Sequence, residues 1–137
     1  MAAVKQCGWA LEYADVSLKS DVDVILVALY SMKDVLEYAS PGLRCDNMIV
    51  STALKYYPSS IECADKSFRK DRKAALLALK GDGRALEYFP CFQNDKECVL
   101  EAVREDGESL RYASASLRRD LEIIFDAIDN DPSSILY

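Results

Sequence analysis

The sequence predicts an all-α fold, an α-solenoid of about five 25-residue helix-pair repeats. Three observations predict it. A short motif returns at a nearly constant interval, its first residues falling at 11, 36, 61, 86, 110 and 135. An aspartate follows each complete motif, at Asp21, Asp46, Asp71, Asp95 and Asp120, and an apolar run of helical spacing follows each aspartate. No strand-like alternation of polar and apolar residues competes with that spacing. A fixed period of roughly 20–50 residues is the mark of stacked arrays, in which each unit buries its apolar face only against its neighbours.

The motif is clearest in Leu36-Glu37-Tyr38-Ala39, which leads to Leu43, Arg44 and Asp46. It recurs as Leu11-Glu12-Tyr13-Ala14, Ile61-Glu62-Cys63-Ala64, Leu86-Glu87-Tyr88 and Leu110-Arg111-Tyr112-Ala113, and begins again at Ile135-Leu136-Tyr137. One residue is missing between Leu86 and Phe92.

The first element of each repeat is a helix of about ten residues. Counting the aspartate as zero, positions +3, +4, +7 and +8 read Ile49, Val50, Ala53 and Leu54 after Asp46, and are similarly apolar in the other four copies. That spacing places them on one face of a helix. Alanine fills +7 in every copy, with Ala3 at the matching place in the partial first one. A small side chain at one fixed place implies close approach of a neighbouring backbone. The aspartate is suited to cap the helix, since its carboxylate accepts from the free N–H groups of the first turn. Position +12 reads Gly8, Lys33, Pro58, Gly83, Gly107 and Pro132, and glycine or proline there ends the helix by a left-handed cap or a broken ladder.

A shorter second helix follows, for example over 59–64 or 108–113. Its Leu or Ile, its Tyr and its Ala are expected to point inward. A tight turn with Pro41-Gly42 or Ser114 comes next, and Leu18, Leu43, Phe68, Phe92 and Leu117 point back inward before the next aspartate. The domain expected is a single array over residues 1–137, with repeats starting near the five aspartates and partial repeats at both ends. Neither end carries a polar capping repeat, which arrays usually need. Three readings stay open: a piece of a longer array, end-to-end self-association, or half-repeats that serve as caps.

Half the residues are hydrophobic and 29% are charged, as in an ordinary folded chain. The net charge of −6 argues against a dedicated nucleic-acid binder. No apolar run approaches the roughly 18–20 residues needed to cross a bilayer. Met1-Ala2-Ala3-Val4 lacks the basic and apolar regions of a signal peptide, so a cytoplasmic protein is expected. Cys7, Cys45, Cys63, Cys91 and Cys98 show no C-x-x-C spacing, each falls at a different repeat position, and histidine is absent. Such a set suits a reducing compartment and small buried hydrophobes, with neither a metal site nor any other cofactor expected.

The residues from Leu18-Lys19-Ser20-Asp21 to Tyr38-Ala39, those from Val99 to Asp120, and the opening 2–14 carry a further pattern. Leu-Arg-x-Asp is followed by two or three aliphatics, x-Ala-Val, a spacer, Gly and Leu-x-Tyr-Ala. This resembles the repeats of domain of unknown function 4116, over nearly the whole chain. That family has no assigned activity, so the resemblance implies the repeat architecture and no chemistry.

Three ladders are candidates for function. The aspartates could line a cation edge, but capping needs this residue type here. The tyrosines Tyr13, Tyr38, Tyr88, Tyr112 and Tyr137 could form an aromatic strip, but inter-repeat packing explains them as well, and Cys63 replaces one. Lys19, Arg44, Arg69 and Arg118 precede the aspartates as a basic ridge, interrupted by Gln93. They suit either cross-repeat ion pairs or a surface for phosphate or an acidic partner. There is no nucleophile elbow, phosphate loop or metal cluster, so an enzyme is not expected. The function expected is a non-catalytic scaffold for a protein partner, with a structural spacer or an acidic-ligand binder as alternatives. Binding residues are expected along the ridge and at the variable positions +1, +2, +9 to +11 and +13. Tyr56, Tyr57 and Trp9 are the main apolar candidates, beside Tyr30, Arg72, Lys73 and Arg104.

Overall fold

A computed structural model describes residues 8–132, with Gly8 and Trp9 by their backbone only. Every regular element among the described residues is helical. Five helices follow the five aspartates: α1 (Val22–Leu29), α2 (Asn47–Tyr56), α3 (Arg72–Leu79), α4 (Lys96–Glu105) and α5 (Leu121–Asn130). Each aspartate caps its helix. Asp21 accepts from the N–H groups of Asp23 and Val24, Asp46 from Met48 and Ile49, Asp71 from Lys73, Asp95 from Cys98, and Asp120 from Glu122. Asp46→Ala should cost about 0.5–2 kcal/mol and Asp46→Asn much less, read by urea unfolding. Equal losses in the two variants would show that the cap is not the reason.

The apolar face is as expected. Ile25, Ala28 and Leu29 on α1, Ile49, Val50, Ala53 and Leu54 on α2, Ala75, Ala78 and Leu79 on α3, and Cys98, Val99, Ala102 and Val103 on α4 are all fully buried.

The rest of each period differs from a helix pair. It holds two further helical segments, not one. The second segment is Val35–Tyr38, Pro58–Glu62, Gly83–Tyr88 or Gly107–Tyr112, and the last three of these are 3-10 helices. The stretch expected as a tight turn is itself a helical turn: Val16–Lys19, Pro41–Arg44, Lys66–Lys70, Pro90–Phe92 or Leu117–Arg119. Pro41 and Pro90 open two of these turns, where a missing N–H costs no intrahelical bond.

Helical geometry corrects the inward reading of the tyrosines, in the α-helical segment with half-buried Tyr38 as in the 3-10 ones. With three residues per turn, residues i and i+3 eclipse. Leu110 and Ala113 therefore share the buried side, as do Ile61 and Ala64, and Leu86 and Phe89. Tyr88 and Tyr112, two residues after the leucine, are rotated off that side and are only half-buried. Tyr13 is 86% exposed, and Leu18 is exposed rather than inward. The tyrosine at 137 lies outside the described residues, as do Ala3 at its +7 place and Cys7.

Glycine at +12 also has a different reason from the one expected. Among the described residues no glycine has positive φ. Gly83 and Gly107 open the second segments, capped by Asp82 and Asp106, which accept from the N–H groups of Arg84 and Glu108. A Cβ on Gly83 would stand 2.2 Å from the Ala102 carbonyl oxygen, and one on Gly107 would stand 2.6 Å from that of Ala127. Ala102 and Ala127 are the +7 alanines of the following copies. The close backbone approach implied by alanine at +7 is real, and glycine is its other half.

The chain divides into two compact units, Met1–Asp65 and Lys66–Tyr137. In the first, α1 packs against α2, and α2 against Pro58–Glu62. In the second, α3 packs on α4 and α4 on α5, with Gly83–Tyr88 against both α3 and α4, and Gly107–Tyr112 against both α4 and α5. No helix among the described residues is long and apolar enough to cross a membrane.

Candidate partner-binding surface

The basic ridge resolves into side chains with local work. The Lys19 ammonium donates to the Glu12 carbonyl at 2.9 Å. Arg44 Nε donates to the Ala39 carbonyl at 3.0 Å, and a terminal guanidinium nitrogen donates to that of Glu37. Gln93, which interrupts the run of cations, donates from Nε2 to the Leu86 carbonyl at 3.3 Å. In all three the residue two before the capping aspartate reaches back to the carbonyl end of the preceding segment. Carbonyls at such an end run short of donors, so the position calls for a long donor, and glutamine serves there too, adding a second bond to the Leu86 carbonyl beside that from the Phe89 N–H. Arg69 has its Nε buried with no hydrogen-bond partner among the described residues, and Arg118 is exposed.

Cross-copy ion pairs do form, from other residues. In the second unit Arg72 Nε meets Asp95 at 3.0 Å and its guanidinium also meets Glu97. One period later Lys96 bridges Asp120 at 2.7 Å and Glu122 at 2.8 Å. The rule is the same in both: a cation at +1 reaches the capping aspartate and the +2 glutamate of the next copy. Arg84 likewise meets Asp106 and Glu108, and Arg104 meets Asp126. Arg72 and Arg104, expected at variable positions that face a partner, are thus engaged within the unit. The opposite charges lie about one period apart in the sequence, a signal that a search within single copies does not detect.

These pairs are partly exposed and individually worth little. Their effect on ionisation is consistent all the same. The hydrogen bond from Arg72 holds the Asp95 carboxyl below its ordinary value of 3.8, and the hydrogen bond from Lys96 does the same for Asp120. Between the lowered value and 3.8 the unfolded chain binds more protons than the folded one, so stability rises with pH there. Acid titration should therefore destabilise the chain as pH falls through 3.8 and below. Asp95→Asn should flatten that loss in urea midpoints taken from pH 5 to pH 2.5, and an unchanged slope would refute the linkage. The raised values of Lys96 and Arg72 act at the alkaline end, where stability is lost only above the ordinary lysine value of 10.5.

The cysteines divide. Cys98 is buried in α4, where desolvation pushes its thiol up to about 11, while Cys45 and Cys91 are exposed and do not act as core residues. No group of three or more acidic or cysteine side chains among the described residues is arranged to hold a metal ion.

The expected aromatic residues are partly brought together. Tyr30 and Tyr56, in the first unit, meet edge to face with centroids 5.4 Å apart. Tyr30 is 67% exposed and Tyr56 44% exposed. The Lys55 ammonium lies 5.8 Å over the Tyr56 ring. Tyr57 turns the chain out of α2 and is half-buried. The Trp9 side chain lies outside the described residues. Tyr30 and Tyr56 sit at +9 and +10 of successive copies, so stacking of α1 on α2 makes neighbours of residues 26 apart.

Comparison with known families adds one finding. Residues 1–44, 49–93 and 95–137 each match the family described as Domain of unknown function (DUF4116). The chain belongs to the DUF4116 family. The matches begin at residues 1, 49 and 95, so each DUF4116 unit spans nearly two of the 25-residue periods. The third match contains both α4 and α5, with the Lys96–Asp120 pair inside it, whereas the Arg72–Asp95 pair joins the second match to the third. The same chemistry thus ties copies together within a DUF4116 unit and between two of them. Comparison with curated proteins and with solved structures returns no match.

Proposed function

We propose that this DUF4116 chain is a non-catalytic α-solenoid scaffold for protein–protein interaction. It engages its partner through the exposed Tyr30–Tyr56 pair. What supports the array is the recurrence of one set of contacts: an N-capping aspartate, a +7 alanine under a +12 glycine, and a +1 cation reaching the next copy. What supports the tyrosines is their exposure on a regular frame. Tyr30 and Tyr56 are large, rigid side chains that face solvent, and each needs little ordering to bind. The nearby Lys55 adds a positive charge, which favours a partner with carboxylates beside its apolar anchor.

The alternative phosphate or acidic-ligand reading rests on Lys19, Arg44, Arg69 and Arg118. Lys19 and Arg44 already donate to carbonyl oxygens, so a ligand would have to compete with those bonds. Proximity labelling in cells with the wild type, a Tyr30→Ala/Tyr56→Ala variant and a Lys19→Gln/Arg44→Gln variant separates the readings. Loss of specific partners only in the tyrosine variant is expected. The same partner set in wild type and tyrosine variant would overturn the tyrosine surface.

A further inference from the structure

One stretch of the second unit breaks the charge pattern of an acidic chain. Residues 66–73 carry Lys66, Arg69, Lys70, Arg72 and Lys73 against Asp71 alone, five of the 17 lysines and arginines in eight residues. The repeat frame does not call for them. Position +2 is a carboxylate in three of the other four copies, as Asp23, Glu97 and Glu122, where the positive end of the helix dipole favours one. Lys73 stands against that dipole, and α3 has no acidic residue in its first turn.

Nothing inside the fold compensates. Arg72 is held by Asp95 and Glu97. Lys66, Lys70 and Lys73 are exposed, and none of the three forms an ion pair among the described residues. The turn Lys66–Lys70 packs on α3 and on Pro90–Phe92. Neither brings a carboxylate, since α3 has none and Pro90–Phe92 is uncharged. Asp71 is committed to its cap, accepting from the Lys73 N–H at 2.8 Å. Residues that break a local rule with no gain to the fold mark a functional surface.

We infer that Lys66, Lys70 and Lys73 form a docking surface for an acidic, extended segment of a partner protein. Their Cα atoms lie within roughly 16 Å of one another, even with the link at Asp71 fully extended. An extended segment repeats its side chains on one side every 6–7 Å or so, so three carboxylates at alternate places match three ammonium groups. Lysine suits such a segment, because its ammonium is a mobile point charge rather than the rigid fork that grips a single phosphate. A long nucleic acid would run past the patch onto a chain of net charge −6. The surface uses neither Lys19 nor Arg44, whose donors are already engaged.

Fluorescence anisotropy of a labelled oligoglutamate peptide of about six residues, titrated with the full chain at low ionic strength, tests the surface. Binding that weakens with added salt is expected. Lys70→Gln/Lys73→Gln should weaken it about three- to tenfold, as loss of two exposed charge contacts does. Lys33→Gln/Lys80→Gln, an equal charge change at other exposed lysines, should leave it unchanged. Lys73→Glu should weaken binding while the melting temperature holds or rises, because it restores the carboxylate of the other copies. A fall in melting temperature would overturn the proposal, since the lysine would then serve the fold. So would no binding of oligoglutamate, equal weakening by the two double variants, or tighter binding of oligothymidylate of the same charge, the last in favour of a nucleic-acid surface. None of these outcomes bears on the tyrosine surface of the first unit.

Discussion

Gly83→Ala is expected to destabilise the chain by about 1–3 kcal/mol or more, although alanine normally stabilises a helical segment relative to glycine. The backbone there does not need glycine, since no described glycine has positive φ. The space does. A Cβ would stand 2.2 Å from the Ala102 carbonyl oxygen and 2.8 Å from Ser109 Oγ. The carbonyl belongs to the main chain of α4 and cannot swing aside as a side chain would. The new methyl must push the Gly83–Tyr88 segment off α4. Ser109 offers little room either, because it is fully buried with its hydroxyl unpartnered among the described residues. Gly42→Ala is the control: nothing lies within 4 Å of its Cβ position, and it should be neutral or slightly stabilising. Urea unfolding of the two variants decides the matter. A Gly83→Ala protein as stable as wild type would mean that the segment and α4 do not approach as described.

Leu79→Ala is expected to cost about 2–5 kcal/mol. Leu79 ends α3 at +8 and is fully buried in the second unit. Removing three carbons leaves a cavity bounded by helices that are held at both ends by caps and cross-copy pairs, so collapse around it is restricted. Leu54→Ala at the same place on α2 should behave alike in the first unit. Chemical denaturation should show a lower midpoint with little change in slope. A neutral result at either site would place the register in error by at least one residue.

Much of this was legible from spacing alone. The five aspartates, the positions +3, +4, +7 and +8, and the +7 alanine are local or periodic signals, and a helix turns periodicity directly into a face. The second segments were harder to read because five or six residues satisfy either helix type. A residue two places after the leucine falls off the buried side in either helix type, so Tyr38 in an α-helical segment is half-buried just as Tyr88 and Tyr112 are in 3-10 segments. Phe89 shows the same limit. It stands where the other copies place alanine, beside the lost residue, and it is among the largest fully buried side chains, within 6.5 Å of the Phe92 ring. A larger side chain at the shortened place fills space that no single copy could have indicated.

The candidate surface was legible only in part. Tyr56 was evident as an unusual residue at a variable position, but its pairing with Tyr30 needs α1 and α2 side by side. The ridge was evident as charge, yet the carbonyls that Lys19 and Arg44 satisfy come from the segment before them, and only the folded turn brings them within 3 Å.

By itself, then, the sequence determined an all-helical chain of repeated units, the capping residue of every long helix, and the apolar face each one buries. These follow from contacts within a turn or two, where chain connectivity sets the distances. Only the tertiary structure decided why glycine stands at +12, which charges pair and which aromatics meet. Those depend on residues about one period apart. Their separation is set by how one copy lies on the next, and the sequence of either copy alone does not contain it.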